Sequence, residues 1–213
     1  MPAEVLKISR DQPEAHLLEY AARFIRRGEV VGIPTDTLYG LAADPFNLAA
    51  VERVFRVKGR TESKALPILI DSMERARMLA RELPEVFYRL AKAFWPGALT
   101  VIVAASDRLP LKVTGNSGRI ALRWPRQPVA CKLIEVAGTP LTGTSANLSG
   151  FDPCTSAQQV AEQLGERLPL ILDAGETERA VASTIVDVRG EDYRMVREGA
   201  ISEEAILHAL TGD

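Results

Sequence analysis

The stretch GEVVGIPTDTLYGL, residues 28–41, decides the fold class. Val30-Val31-Gly32-Ile33 has the length and β-branching of a buried strand. Pro34 cannot donate to a sheet ladder and closes that strand. Thr35, Asp36 and Thr37 then fall at its carboxyl end, and Gly40 is expected to let the backbone turn tightly. In open α/β sheets, ligands sit just beyond the carboxyl ends of strands. Hydroxyls and a carboxylate on such a rim can fix a small polar ligand by hydrogen bonds. Read alone, Thr-Asp-Thr fits a turn with a helix cap equally well.

Working outward, Leu17, Leu18, Ala21, Phe24 and Ile25 recur at helical spacing, with Pro13 suited to the first turn and Gly28 to the stop. Leu48, Val51, Val54 and Phe55 predict a second helix ending near Lys58-Gly59-Arg60. Residues 65–70 read as a short strand or strand edge, and Asp71-Ser-Met-Glu74 as a capping box that opens a helix through Leu79. Another helix begins at Pro84 and runs to a sharp break at Trp95-Pro96-Gly97. Strands are predicted at 99–104, 119–124, 140–143, 168–172, 183–188 and 193–196. Helices are predicted over 129–137, from the capping box Ser156-x-x-Gln159, and from Ser202. Residues 173–181 are the best candidate for a mobile loop. Alternating elements of this kind predict a mixed α/β fold, a twisted mixed open sheet with helices packed on it, in one domain over residues 1–213.

Composition narrows the function. Hydrophobic residues make up 46% and charged residues 25%, ordinary globular values. The formal net charge is −2, so nucleic-acid binding would need a local basic patch. Cys131 and Cys154 are lone cysteines and suggest a reducing compartment without a disulfide framework. His16 and His208 sit far apart in sequence, which argues against a Cys/His zinc site. No apolar signal core opens the chain and no run approaches a membrane span, so a soluble, cytoplasmic protein is expected. The chain has no P-loop, no GxGxxG, no HExxH and no Gly-x-Ser-x-Gly elbow, which argues against the enzyme classes those motifs define.

Four polar clusters fall at element ends. Thr35-Asp36-Thr37 is the first. Lys58, Arg60 and Lys64 form the second, where cations can neutralise a polyphosphate or simply complement a helix end. Ser145-Ala146-Asn147 is the third, in a loop of small residues whose backbone amides can approach an anion. Ser183-Thr184 and Arg197 form the fourth. In the strand at 119–124, period-two alternation puts Arg119, Ala121 and Arg123 on one face, so the two guanidinium groups are expected to converge on one site.

In this order PTDTLYGL, the Lys-x-Arg of VKGR, FWPGALT, ALRWP, TSANLSG and STIVDV resemble the motifs of the threonylcarbamoyl-adenylate synthases, the YrdC-like domain, in its single-domain form. The likeness runs from about Gly28 to Ile201. It implies a YrdC/RibB-like sheet with a concave, basic face. It also implies a reaction in which L-threonine, bicarbonate and ATP give threonylcarbamoyl-AMP and pyrophosphate, with Mg²⁺ bound through the triphosphate. A partner transferase would then modify adenosine 37 of tRNAs that read ANN codons. By motif, Thr35, Arg123 and Ser183 would hold threonine. Lys58, Arg60, Arg119, Gly143, Ser145, Asn147 and Arg197 would serve ATP, with Lys58, Arg60 and Ser145 at the reaction centre and no metal ligand from the protein. Two departures stand out: Asp36 where many members carry Glu, and Thr61 where the usual residue is proline. The alternative reading is a tRNA- or double-stranded-RNA-binding module of the same fold without synthase activity.

Overall fold

Strands and helices alternate through most of the chain, and the strands gather into two mixed sheets. The computed structural model describes residues 2–59 and 64–212, so Arg60 and Thr61 lie outside the described residues. The first sheet runs in the order β1 (Glu4–Lys7), β9 (Leu170–Asp173), β2 (Val31–Ile33), β3 (Gly40–Ala42) and β8 (Thr144–Ser145). Here β1, β9 and β2 are parallel, and β3 is antiparallel to both its neighbours. The second sheet runs β11 (Asp192–Arg197), β10 (Thr184–Arg189), β5 (Leu99–Ala104), β6 (Arg119–Arg123), β4 (Ile68–Leu69) and β7 (Leu141–Thr142). Its parallel pairs are β10 with β5 and β4 with β6.

The mixed α/β class is as the sequence predicts, but the single sheet becomes two. The chain changes sheet at Gly143, between β7 and β8. At that crossing the Thr142 amide donates to the Ala43 carbonyl at 2.9 Å and its hydroxyl to the Leu41 carbonyl at 2.7 Å. These bonds sew the two sheets together.

The helices are α1 (Ala15–Arg26), α2 (Leu48–Lys58), α3 (Met73–Leu79), α4 (Glu85–Phe94), α5 (Leu111–Thr114), α6 (Pro128–Ala137), α7 (Ala157–Leu164) and α8 (Glu203–Thr211). Asn47 caps α2 by accepting from the Ala49 and Ala50 amides, and left-handed Gly59 ends the helix, so Lys58 occupies its last turn. Three local readings shift. Pro13 precedes the Glu14 N-cap of α1 and stands outside the helix. Ser72, not Asp71, caps α3, because Asp71 is drawn into an ion pair with Arg75 at 2.8 Å. At α7, Ser156 caps, but the Gln159 side chain reaches back to the Thr155 amide.

The core falls into two clusters on either side of the first sheet. Leu18, Ala21, Ala22 and Ile25 of α1 meet Val129, Ala130, Leu133 and Ile134 of α6 under Val31 and Ile33. Opposite them, Gly32 admits the side chains of Ile171 and Val160, which a Cβ there would meet at 3.2 and 3.4 Å. The larger cluster lies under the second sheet and includes Phe55, Leu66, Phe87, Leu90 and Val101.

Candidate active site

The turn after β2 and the inward face of the second sheet enclose a cavity of about 370 Å³ where the two sheets join. Period-two alternation supplies its floor: Thr100 and Ile102 from β5, Ala121 and Arg123 from β6, and Ile185 from β10. Thr35, Thr37, Gly40, Thr144 and Ser145 come from the first sheet's side, while Ser183 and Arg197 close the opposite side. A more open groove of about 920 Å³ runs past Asp71, Arg75, Arg108 and Glu135. That groove mixes both charge signs and holds none of the sequence-predicted residues, so the smaller cavity is the candidate.

Arg123 is the buried cation of this site, with a side-chain exposure of 8%. Its Nε donates to the Gly97 carbonyl at 3.1 Å, Nη1 to the Thr37 hydroxyl at 2.7 Å and Nη2 to Asp36 Oδ1 at 2.7 Å. Burial pushes its pKa down and the Asp36 carboxylate opposes that shift; an arginine stays protonated in any case. Thr35 shapes the turn itself. Its hydroxyl accepts from the Thr37 and Leu38 amides and donates to the Leu38 carbonyl at 2.6 Å.

On the far side, Ser183 and Thr100 share a hydroxyl–hydroxyl bond of 2.8 Å. Arg197 donates through Nε and Nη2 to the Ser183 carbonyl, at 3.2 and 2.8 Å. Partial burial and then the nearby charge of Arg123 both lower the Arg197 pKa. Among the described residues the lining thus carries two arginines and several hydroxyls without a carboxylate, an arrangement that favours an anionic ligand.

Lys58 and the Ser-Ala-Asn loop form a second layer behind Ser145. The ammonium donates to the Ser145 carbonyl, to the Asn147 carbonyl at 2.9 Å and to Asn147 Oδ1 at 3.3 Å. Ser145 Oγ donates to the same Oδ1 at 2.6 Å. Among the described lining residues, Ser145 reaches the cavity and Lys58 and Asn147 do not. Gly143 lines the cavity with its amide on the Pro67 carbonyl at 2.7 Å, and a Cβ there would strike the Leu69 side chain at 2.6 Å.

Three expectations change here. Arg119 shares the face of Arg123, but its guanidinium turns to Asp187 and to the Val188 carbonyl, and it does not line the cavity. Four residues apart on one strand, the two arginines are separated by about 13 Å of backbone, and each guanidinium finds its own partners. The amides of Ala146, Asn147 and Ser149 are spent on the carbonyls of Tyr39, Ser145 and Lys58, so they do not form an open anion nest. Gly40 opens β3 and makes no tight turn; a Cβ there would meet the Thr144 carbonyl at an ordinary 3.5 Å.

Sequence reasoning missed Tyr39, Pro67, Thr100 and Ala182, all of which line the cavity. Alternation in the strand at 99–104 places Thr100 and Ile102 together, and a lone polar residue in that run was the available signal. The phenol of Tyr39 donates to the Gly175 carbonyl at 2.7 Å, and burial pushes its pKa up to about 12. Among the described residues no group of three or more His, Cys, Asp or Glu side chains could hold a metal ion, and no helix is long and apolar enough to cross a membrane.

Fold and site together define a class: mixed α/β proteins of the YrdC-like fold, with an arginine- and hydroxyl-lined cleft at the junction of two sheets. Residues 23–199 match the Sua5/YciO/YrdC family, described as telomere recombination. The chain belongs to that family. It is 40% identical over 197 residues to the threonylcarbamoyl-AMP synthase of Pyrococcus abyssi, covering 92% of this chain and 58% of that one. It is 35% identical over 189 residues to the threonylcarbamoyl-AMP synthase of Vibrio vulnificus, covering 85% and 98%. The crystal structure of Pyrococcus abyssi Sua5 complexed with L-threonine superposes with a TM-score of 0.94 at 38% identity, covering 99% of this chain and 61% of that one. The chain therefore spans less than two thirds of the archaeal relative and nearly all of the bacterial one.

Proposed function

We propose that this protein is a threonylcarbamoyl-AMP synthase, converting L-threonine, bicarbonate and ATP to threonylcarbamoyl-AMP, pyrophosphate and water. The observation that carries this reading is Arg123: a buried guanidinium on the wall of a small cavity, with hydroxyls around it and no carboxylate among the described lining residues. The family relationship supports the same reading. Arg123 would take the threonine carboxylate, with Thr35 and Ser183 beside it. Lys58, Arg60, Gly143, Ser145, Asn147 and Arg197 would serve the nucleotide.

The chemistry needs no covalent protein nucleophile. The threonine amine attacks the bicarbonate carbon, forming the N–C bond and releasing water. A carbamate oxygen then attacks the α-phosphorus, and the bond from that phosphorus to the bridging oxygen breaks as pyrophosphate leaves. The attacking oxygen is already anionic, so no general base is required, and the protein's contribution is positioning and stabilisation of phosphoryl charge. Two arginines and the Lys58-braced Ser145 loop are suited to that work. Mg²⁺ would arrive on the triphosphate's own oxygens, because the described lining offers hydroxyls and no carboxylate. The product's consumer would be a transferase acting on adenosine 37 of tRNAs that read ANN codons.

Pyrophosphate release from ATP with bicarbonate, comparing L-threonine, L-serine and no amino acid, tests the reading. Threonine-dependent release is expected. A folded protein that releases none and binds RNA in a salt-sensitive, threonine-indifferent way would instead be an RNA-binding module.

A further inference from the structure

We infer that Asp36 is the positioning residue for Arg123, holding the guanidinium from behind so that its remaining donors meet the substrate carboxylate; this rests on the reading of Arg123 as the amino-acid receptor. A guanidinium carries five N–H donors. One is taken by the Gly97 carbonyl, one by Thr37 Oγ1 and one by Asp36 Oδ1. That leaves one N–H on each terminal nitrogen for a carboxylate that enters the cavity.

Asp36 does not line the cavity, so it acts on a ligand only through Arg123. Its own place is fixed as well, because Oδ1 also accepts from the Arg126 amide at 3.1 Å. The carboxylate is therefore tied to the backbone just past the strand that carries Arg123. Its neighbours Thr35 and Thr37 both line the cavity, and Thr37 holds the second terminal nitrogen. One three-residue turn thus forms the wall of the site and sets the plane of its arginine.

The test is calorimetric binding of L-threonine and of ATP to the wild-type protein, Asp36→Ala and Asp36→Asn, alongside KM for each substrate and a melting curve for each protein. Asp36→Ala removes a charge-assisted bond and should weaken L-threonine binding about tenfold or more, with the ATP constants within about twofold. Asp36→Asn keeps an oxygen for both Arg123 and Arg126 without the charge, so its loss should be smaller and confined to threonine. A merely structural role would lower the melting temperature and weaken both ligands together, and that result overturns the inference. Unchanged threonine binding in Asp36→Ala overturns it as well. Should Asp36→Ala fail to fold, Asp36→Asn decides: a threonine-only loss supports the inference and unchanged threonine binding overturns it. Wild-type protein that binds no L-threonine would sink the functional reading itself, an outcome visible before any substitution is made.

Discussion

Lys58 and Asn147 are 89 residues apart in sequence, yet the Lys58 ammonium donates to both the backbone carbonyl and the side-chain oxygen of Asn147. The last turn of α2 thereby braces the loop that presents Ser145 to the cavity. Removing the ammonium strips buried acceptors of their donor, a cost of about 1–3 kcal/mol. Lys58→Met is therefore expected to lower stability by that amount in urea unfolding. Threonine-dependent pyrophosphate release should fall by more than the unfolded fraction explains. Full activity at 25 °C in a folded Lys58→Met protein would remove this brace from the mechanism.

Two glycines near the site should respond unequally to a methyl group. At Gly143 the obstruction is the Leu69 side chain, at 2.6 Å, which has rotamers to explore. At Gly199 a Cβ would sit 2.3 Å from the Ala182 carbonyl oxygen and 2.7 Å from the Ser183 carbonyl carbon, both backbone. Gly143→Ala should cost about 1–3 kcal/mol by overpacking. Gly199→Ala should cost more and shift Ser183, raising KM for threonine. Gly40→Ala meets only ordinary contacts and should be the mildest of the three in stability. Urea unfolding of the three variants ranks them directly, and a Gly199→Ala protein as stable as Gly40→Ala would refute the ordering.

Arg119 is expected to be a structural residue despite its place on the strand with Arg123. Asp187 pairs with both Arg119 and Arg189, and its side chain is buried at 7% exposure. Breaking a buried pair by removing one partner costs about 3–5 kcal/mol, less where the other partner is partly solvated. Asp187→Ala should thus be strongly destabilising, since it strands Arg119. Arg119→Met should leave threonine and ATP affinities within about twofold, because its guanidinium is held by Asp187 and the Val188 carbonyl and turns away from the cavity. A large loss of ATP affinity in Arg119→Met would return that side chain to the nucleotide.

What the sequence revealed and what it hid follow from range. Strand ends, helix faces and the caps at Ser156 and Ser202 depend on neighbours a few residues away, and these were legible. So was the grouping of Thr35, Arg123, Ser145, Ser183 and Arg197, through motifs whose order suggested one site. Strands β1, β3 and β8 were not legible, because each is two to four residues long and β1 is largely exposed, without alternation. The division into two sheets depends on the Thr142 bonds to Leu41 and Ala43, about a hundred residues away, for which no local signal exists. The partner of Arg119 was hidden for the same reason: alternation assigns a face but not a partner, and Asp187 lies on another strand.

Alkaline pH should weaken this fold before it affects the site's arginines. Burial pushes the Cys131 thiol up to about 12, the Cys154 thiol up to about 11 and the Tyr39 phenol up to about 12. Each of these groups is neutral when protonated, and each folded-state value lies above the unfolded one. The unfolded chain therefore loses its protons first as pH rises, and stability falls with pH between the unfolded and folded values. Their full contribution is present below about pH 8.5, the unperturbed thiol value. It declines from there and is lost as pH passes about 11 to 12. Urea unfolding of the wild type from pH 7 to 11 should show a plateau followed by a falling limb. In Cys131→Ala the limb should begin shallower, because one of the two thiols that titrate first in the unfolded chain is gone. In Tyr39→Phe the limb should keep its onset near the thiol value and flatten only above about pH 10, where the unfolded phenol titrates. Wild-type and Cys131→Ala curves that fall in parallel above pH 9 would show that the buried thiol does not drive the alkaline limb.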